Sequence, residues 1–203
     1  MAPTPTSGVL LAAIIVAVAA LGRARHRIGS ARTWLFAPPR GRAAAGVRYA
    51  FTTAFLPWAK ESASGHLPSY LAGLLYHAGI FAMLACLVVS VTPARPARPV
   101  AIALAALFAA ALAVGLALLA KRRLDPTLRA ISVPDDVVSN LLVDAALGGA
   151  LWAALAPAAL PAFQLAGAVL LLYAPLGKLR HMLFLLTSRR LWGSYYGRRG
   201  VLP

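Results

Sequence analysis

Apolar residues run along this chain in five long blocks that carry little charge, separated by stretches rich in arginine, proline and polar residues. The blocks cover about 9–22, 70–92, 100–120, 141–157 and 162–186. Inside them the apolar positions show neither the alternation of a half-buried strand nor the one-sided stripe of a soluble helix. A helix that is apolar all round belongs in a large core or a bilayer. At 1.5 Å per residue, roughly 20 residues cross the hydrocarbon core. The second, third and fifth blocks reach that length comfortably, and the first and fourth are marginal. The pattern predicts an all-α integral membrane bundle of five helices, a single domain over 1–203.

Composition strengthens this reading: 61% of the residues are hydrophobic, where soluble domains run closer to half. The charge is lopsided, with 20 Lys and Arg against 5 Asp and Glu. A net charge of +15 raises nucleic acid as a partner, but the cations lie between the apolar blocks, which is where topology-setting charge belongs. Assigning the connections alternately to the two sides puts 18 Lys and Arg on one side and 2 on the other. The positive-inside rule then predicts an N-terminus outside and a C-terminus in the cytoplasm. A signal peptide carries its positive charge ahead of the apolar run. Here Arg23, Arg25 and Arg27 follow it, so a retained first helix is expected. The expected cytoplasmic parts are segment 23–69, the loop from Lys121 to Ser139, and tail 187–203. Trp58, Lys60 and Tyr70 suit an interfacial helix or a surface that docks a partner.

The candidate chemistry rests on histidine. His26 sits among arginines and reads as a solvated loop residue. His66 precedes Leu67-Pro68 near the expected membrane surface. His77 and His181 fall in apolar blocks, where ionisable groups are expensive and tend to be functional. His77 lies about 10 Å inside the second block. His181 lies at the interface if the fifth helix stops near Gly177, and about 10 Å deep if it continues to Ser188. Both then fall in the same leaflet on different helices. That placement suits bis-histidine haem ligation, in which each ring gives one nitrogen to iron and needs an acceptor for its other N–H. It equally suits interhelical hydrogen bonding, and depth does not choose between them. Gly73, Ala78, Gly79 and Ala82 in the second block, with Gly167, Ala168 and Gly177 in the fifth, would line the space a haem fills, or permit close helix packing. Lys178 and Arg180 flank His181 and would pair with propionates or with lipid headgroups. The lone cysteine, Cys86, excludes an internal disulfide and an iron–sulfur cluster held by this chain.

Three stretches carry a resemblance: "PWAKESASGHLPSYLAGLLYHAGIF", "LRAISVPDDVVSNLLV" and "YAPLGKLRHMLFLLTSRRLWGSYYGRRGVLP". They are similar to the cytochrome b family of the gamma subunit of respiratory nitrate reductase, which includes membrane subunits of heterodisulfide-reductase-type complexes. The resemblance implies that His77 and His181 ligate the haem b nearest the cytoplasm. The positions matching the ligands of that subunit's second haem are Leu87 and Phe163, which do not bind iron, so one haem is expected. It also implies electron exchange with membrane quinone and a cytoplasmic iron–sulfur subunit within a hetero-oligomeric complex. Quinone chemistry needs proton donors or acceptors, and the candidates are His66, Lys60, Glu61 and Asp144. Asp144 suits a proton relay or, slightly preferred, an ion pair with an arginine. Asp135 and Asp136 follow Pro134 and read as helix-capping charge.

The chain has no phosphate loop, no carboxylate pair at catalytic spacing and no nucleophile with a base, so any catalytic centre is expected on a partner. A cofactor-free membrane anchor and a small transporter are the alternatives. The abundance of Ala, Arg, Gly and Pro suggests a GC-rich prokaryotic genome, and hence a prokaryotic inner membrane.

Overall fold

The computed structural model describes residues 5–28, 38–59 and 61–202, and among them the chain is helical with no strand. Among the described residues nine α-helices follow in order: α1 (Pro5–Ile28), α2 (Ala43–Phe51), α3 (Glu61–Ser64), α4 (Leu67–Val89), α5 (Arg98–Leu124), α6 (Pro126–Ala130), α7 (Pro134–Leu155), α8 (Leu160–Tyr173) and α9 (His181–Arg198). Helices α1, α4, α5 and α7 are each long and apolar enough to cross a membrane. The two blocks that looked marginal are comfortable, because α1 spans 24 residues and α7 spans 22. The polar cap sequence "PDD" belongs to α7 itself.

The fifth block departs most from expectation. Instead of one helix over 162–186, α8 ends at Tyr173 and a new helix begins at His181. The sequence between holds Pro175 and Gly177. Proline removes a helical donor and clashes with the preceding turn, and glycine weakens a helix further. With 14 residues, α8 is about 21 Å long, short of the hydrocarbon thickness. The expected tail from 187 onward is instead the body of α9.

The chain forms two compact units: residues 1–20 with 71–179, and residues 21–70 with 180–203. In the first, α7 packs against both α5 and α8. Buried residues recur at helical spacing along each element: Tyr76, Gly79, Met83 and Leu87 on α4, Ala105, Phe108, Ala111 and Gly115 on α5, and Val143, Ala146, Leu147 and Ala150 on α7. Leu10 and Ala13 of α1 and Phe163 of α8 complete the core. Large apolar side chains also cover the outside, among them Ile15, Phe81, Ile102 and Val169. Apolar packing within and apolar surface without is what lipid as solvent requires.

Small residues let these helices touch. A Cβ on Gly79 would sit 2.2 Å from that of Ala111, one on Gly149 would sit 3.1 Å from the Phe163 backbone, and one on Gly167 would strike the Leu87 side chain.

The second unit is built on glycine contact between α2 and α9. A Cβ on Gly46 would lie 2.1 Å from the Gly193 carbonyl oxygen and 2.6 Å from Gly197 Cα. The backbone N–H groups of Arg40 and Gly41 donate to the Arg198 carbonyl at 2.9 and 3.0 Å. Gly200, at φ +70°, ends α9 in the left-handed turn that glycine tolerates. The Val201 N–H then reaches back to the Tyr196 carbonyl at 3.1 Å. Arg189 donates to the Ala50 carbonyl at 3.1 Å and stacks over the Phe55 ring.

Candidate functional site

Helix α4 carries two neighbouring side chains with opposite fates. Tyr76 points into the core of the first unit and is buried, whereas His77, one residue on, is exposed on the apolar outer face. A rotation of about 100° per residue separates them. The His77 Nδ1 lies 2.7 Å from the Gly73 carbonyl oxygen, one turn back. A carbonyl only accepts, so Nδ1 carries the proton and the lone pair is on Nε2. An imidazole whose second nitrogen donates to a backbone carbonyl is the arrangement of a metal-ligating histidine. Beside it, a Cβ on Gly73 would meet no heavy atom within 4 Å. These features fit an axial haem ligand.

The small residues expected to line a haem space divide. Gly73 and Ala78 flank His77 on its exposed face. Gly79 and Gly167 close onto Ala111 and Leu87, and Ala168 is buried in the core. Leu87 and Phe163 are core packing residues, 1% and 3% exposed.

His181 opens α9 and is exposed, as is Arg180 before it. Lys178 is engaged within the first unit: its Nζ lies 2.6 Å from Asp136 Oδ1, and its backbone N–H donates to Asp135 Oδ2 at 2.8 Å. The Tyr173 hydroxyl donates to Asp135 Oδ1. Arg122 lies 3.6 Å from Asp136 Oδ2, which also accepts the Val133 N–H at 2.9 Å. Asp136 therefore caps α7 through the Val133 N–H, Asp135 adds acidic charge to its first turn, and the two together clamp the break after α8. A Cβ on Gly177 would collide with the Tyr173 ring, so glycine there leaves room for that ring. Pairing of Lys178 with a haem propionate would have to displace Asp136.

Of the proton candidates, His66 is exposed at the start of α4. Lys60 lies outside the described residues, and Glu61 begins α3. Asp144 is different. It is 5% exposed and sits ten residues into α7, about 15 Å along the axis. Among the described residues, the ion pair with arginine preferred from the sequence is not formed. The Tyr76 hydroxyl donates to Asp144 Oδ1 at 2.7 Å, and Asn140 Nδ2 donates to the Tyr76 oxygen at 3.1 Å. The opposite helix makes room, because a Cβ on Gly115 of α5 would lie 2.2 Å from Asp144 Oδ1 and 2.5 Å from the Tyr76 ring. Two buried oxygens, Asn140 Oδ1 and Asp144 Oδ2, have no hydrogen-bond partner among the described residues.

Sequence reasoning missed Tyr76, Asn140 and Gly115. The i, i+4 spacing of Asn140 and Asp144 on an apolar helix was a readable sign that they share a face. It also missed Gln164, which is fully buried. Gln164 Nε2 donates to the Ser90 carbonyl at 3.0 Å and to Ser7 Oγ at 3.1 Å, and Oε1 accepts from Thr6 Oγ1 at 2.6 Å.

Comparison with protein-family models, curated proteins and solved structures finds no match.

Proposed function

We propose that this chain is the haem b membrane subunit of a respiratory oxidoreductase complex, in a prokaryotic inner membrane, with the N-terminus outside. In this reading it passes electrons between membrane quinone and a cytoplasmic iron–sulfur subunit. The observation that carries the proposal is the His77 ring, held by Gly73 with Nε2 available on an apolar helix face. By the resemblance, His181 would be the second histidine to hold the haem. Arg180 would pair with the propionates, joined by Lys178 if Asp136 releases it. The bound haem would supply one-electron transfer. His66, Lys60, Glu61 and Asp144 are the groups assigned to proton exchange with quinone.

The test is a reduced-minus-oxidised visible spectrum of the purified chain, with pyridine haemochrome quantitation. One b-type haem per chain is expected, lost in His77→Ala and in His181→Ala and retained in His26→Ala. A featureless spectrum from cells with ample haem would overturn the reading in favour of a cofactor-free anchor.

A further inference from the structure

The Tyr76–Asn140–Asp144 cluster is one proton short of a closed circuit. Tyr76 donates to Asp144, and Asn140 donates to Tyr76. The two atoms left over, Asn140 Oδ1 and Asp144 Oδ2, are both acceptors, and both are buried. They sit one helical turn apart on α7, on the same face. A donor between them satisfies both at once. Buried polar groups are nearly always paired, and an isolated carboxylate far from water is much costlier than a neutral acid.

Among the described residues, the groups around the cluster offer no compensating cation. Helix α4 brings Tyr76, and its neighbour His77 faces away, exposed. Helix α5 brings Gly115 against Asp144, and its Lys121, Arg122 and Arg123 begin about 9 Å further along the axis. Helix α8 brings Tyr173, which is bonded to Asp135. On α7 itself Asp135 and Asp136 point to Tyr173, Lys178 and Arg122.

We infer that Asp144 is a proton-binding site in the middle of the helix bundle, its neutral carboxyl closing a three-membered hydrogen-bond ring with Asn140 and Tyr76. The proton resides on Asp144 Oδ2 and is donated to Asn140 Oδ1. Each member then donates to the next: Asp144 to Asn140, Asn140 to Tyr76, Tyr76 to Asp144. Release leaves a carboxylate that keeps only the Tyr76 donor, while Asn140 Oδ1 loses its partner. The site therefore has two defined states that differ by one proton and by one hydrogen bond. No electron moves in the exchange. This deepens the quinone reading by naming its proton store, and in that respect rests on it. The protonated state itself stands on the hydrogen bonds alone.

The decisive measurement is infrared spectroscopy of the full-length protein in lipid vesicles, from mildly acidic to mildly alkaline pH, in water and in D2O. A protonated-carboxyl C=O band is expected near neutral pH. It should shift in D2O and when aspartate is labelled with carbon-13, vanish in Asp144→Asn, and move in frequency in Tyr76→Phe. Absence of the band in the wild type overturns the inference, because the carboxylate is then ionised and the leftover oxygens are met by water. Persistence of the band in Asp144→Asn overturns it too. The isotope label reads the wild type alone, so the test does not depend on a variant that folds. Failure here leaves the haem spectrum untouched, and a missing haem leaves this band untouched.

Discussion

Two polar clusters sit inside the apolar core of the first unit, about 21 Å apart along α4, and they are built on opposite terms. At one end Gln164 is completely buried, and both ends of its amide are met by Thr6, Ser7 and Ser90. These partners come from α1 and from the residue just after α4, and Gln164 stands on α8, so one side chain ties three helices together. At the other cluster Asp144 meets Tyr76 and Asn140, and two acceptors are left over. A satisfied network fixes one arrangement, whereas a network that lacks a proton has two. The contrast separates a structural pin from a group able to exchange something.

The largest effect is expected where satisfaction is complete. Gln164→Ala removes a buried side chain and strips three partners of their hydrogen bonds, and should cost about 3 kcal/mol. The loss should appear as a lower midpoint in denaturant titration of the protein in mixed micelles. A cost near zero would mean that Gln164 is not a pin. Next comes the wall of the second cluster. Gly115→Val places new carbons where Asp144 and Tyr76 now lie and should cost about 2 kcal/mol through overpacking. The same variant should displace the Asp144 carboxyl band. The smallest effect is expected for Asp144→Asn, under about 0.5 kcal/mol. An amide reproduces the neutral acid, accepting from Tyr76 and donating to Asn140. A change above about 2 kcal/mol in either direction would show that the charged form is the resting one. Together the three variants grade the two clusters on one scale.

Much of this was legible in advance. The apolar blocks announced α1, α4, α5 and α7 because hydropathy at this density leaves the backbone few options other than helix. His77 was singled out for the same reason, as an ionisable group in an apolar run. Other features read differently in three dimensions. Gly79, Gly167 and Gly177 suited either the lining of a cofactor space or close packing, and they are contact points, because a small residue does not reveal what approaches it. Asp144 suits a proton relay or, slightly preferred, an arginine pair by sequence, and is bonded to a tyrosine 68 residues away. Pro175 and Gly177 were in view, yet the apolar run around them read as one helix. The break is held by Asp135 and Asp136, on another helix altogether.

The sequence by itself determined the helical class, the apolar outer surface and the place of His77 on α4, all of which follow from local composition and from the bilayer as solvent. Only the tertiary structure decided which way each helix faces. That rotation sends Tyr76 inward and His77 outward, brings Gly115 against Asp144, and leaves two buried oxygens without a hydrogen-bond partner among the described residues. The physical reason is that helix propensity and hydropathy act on near neighbours. The partners of a buried polar group are chosen by packing among helices far apart in the chain.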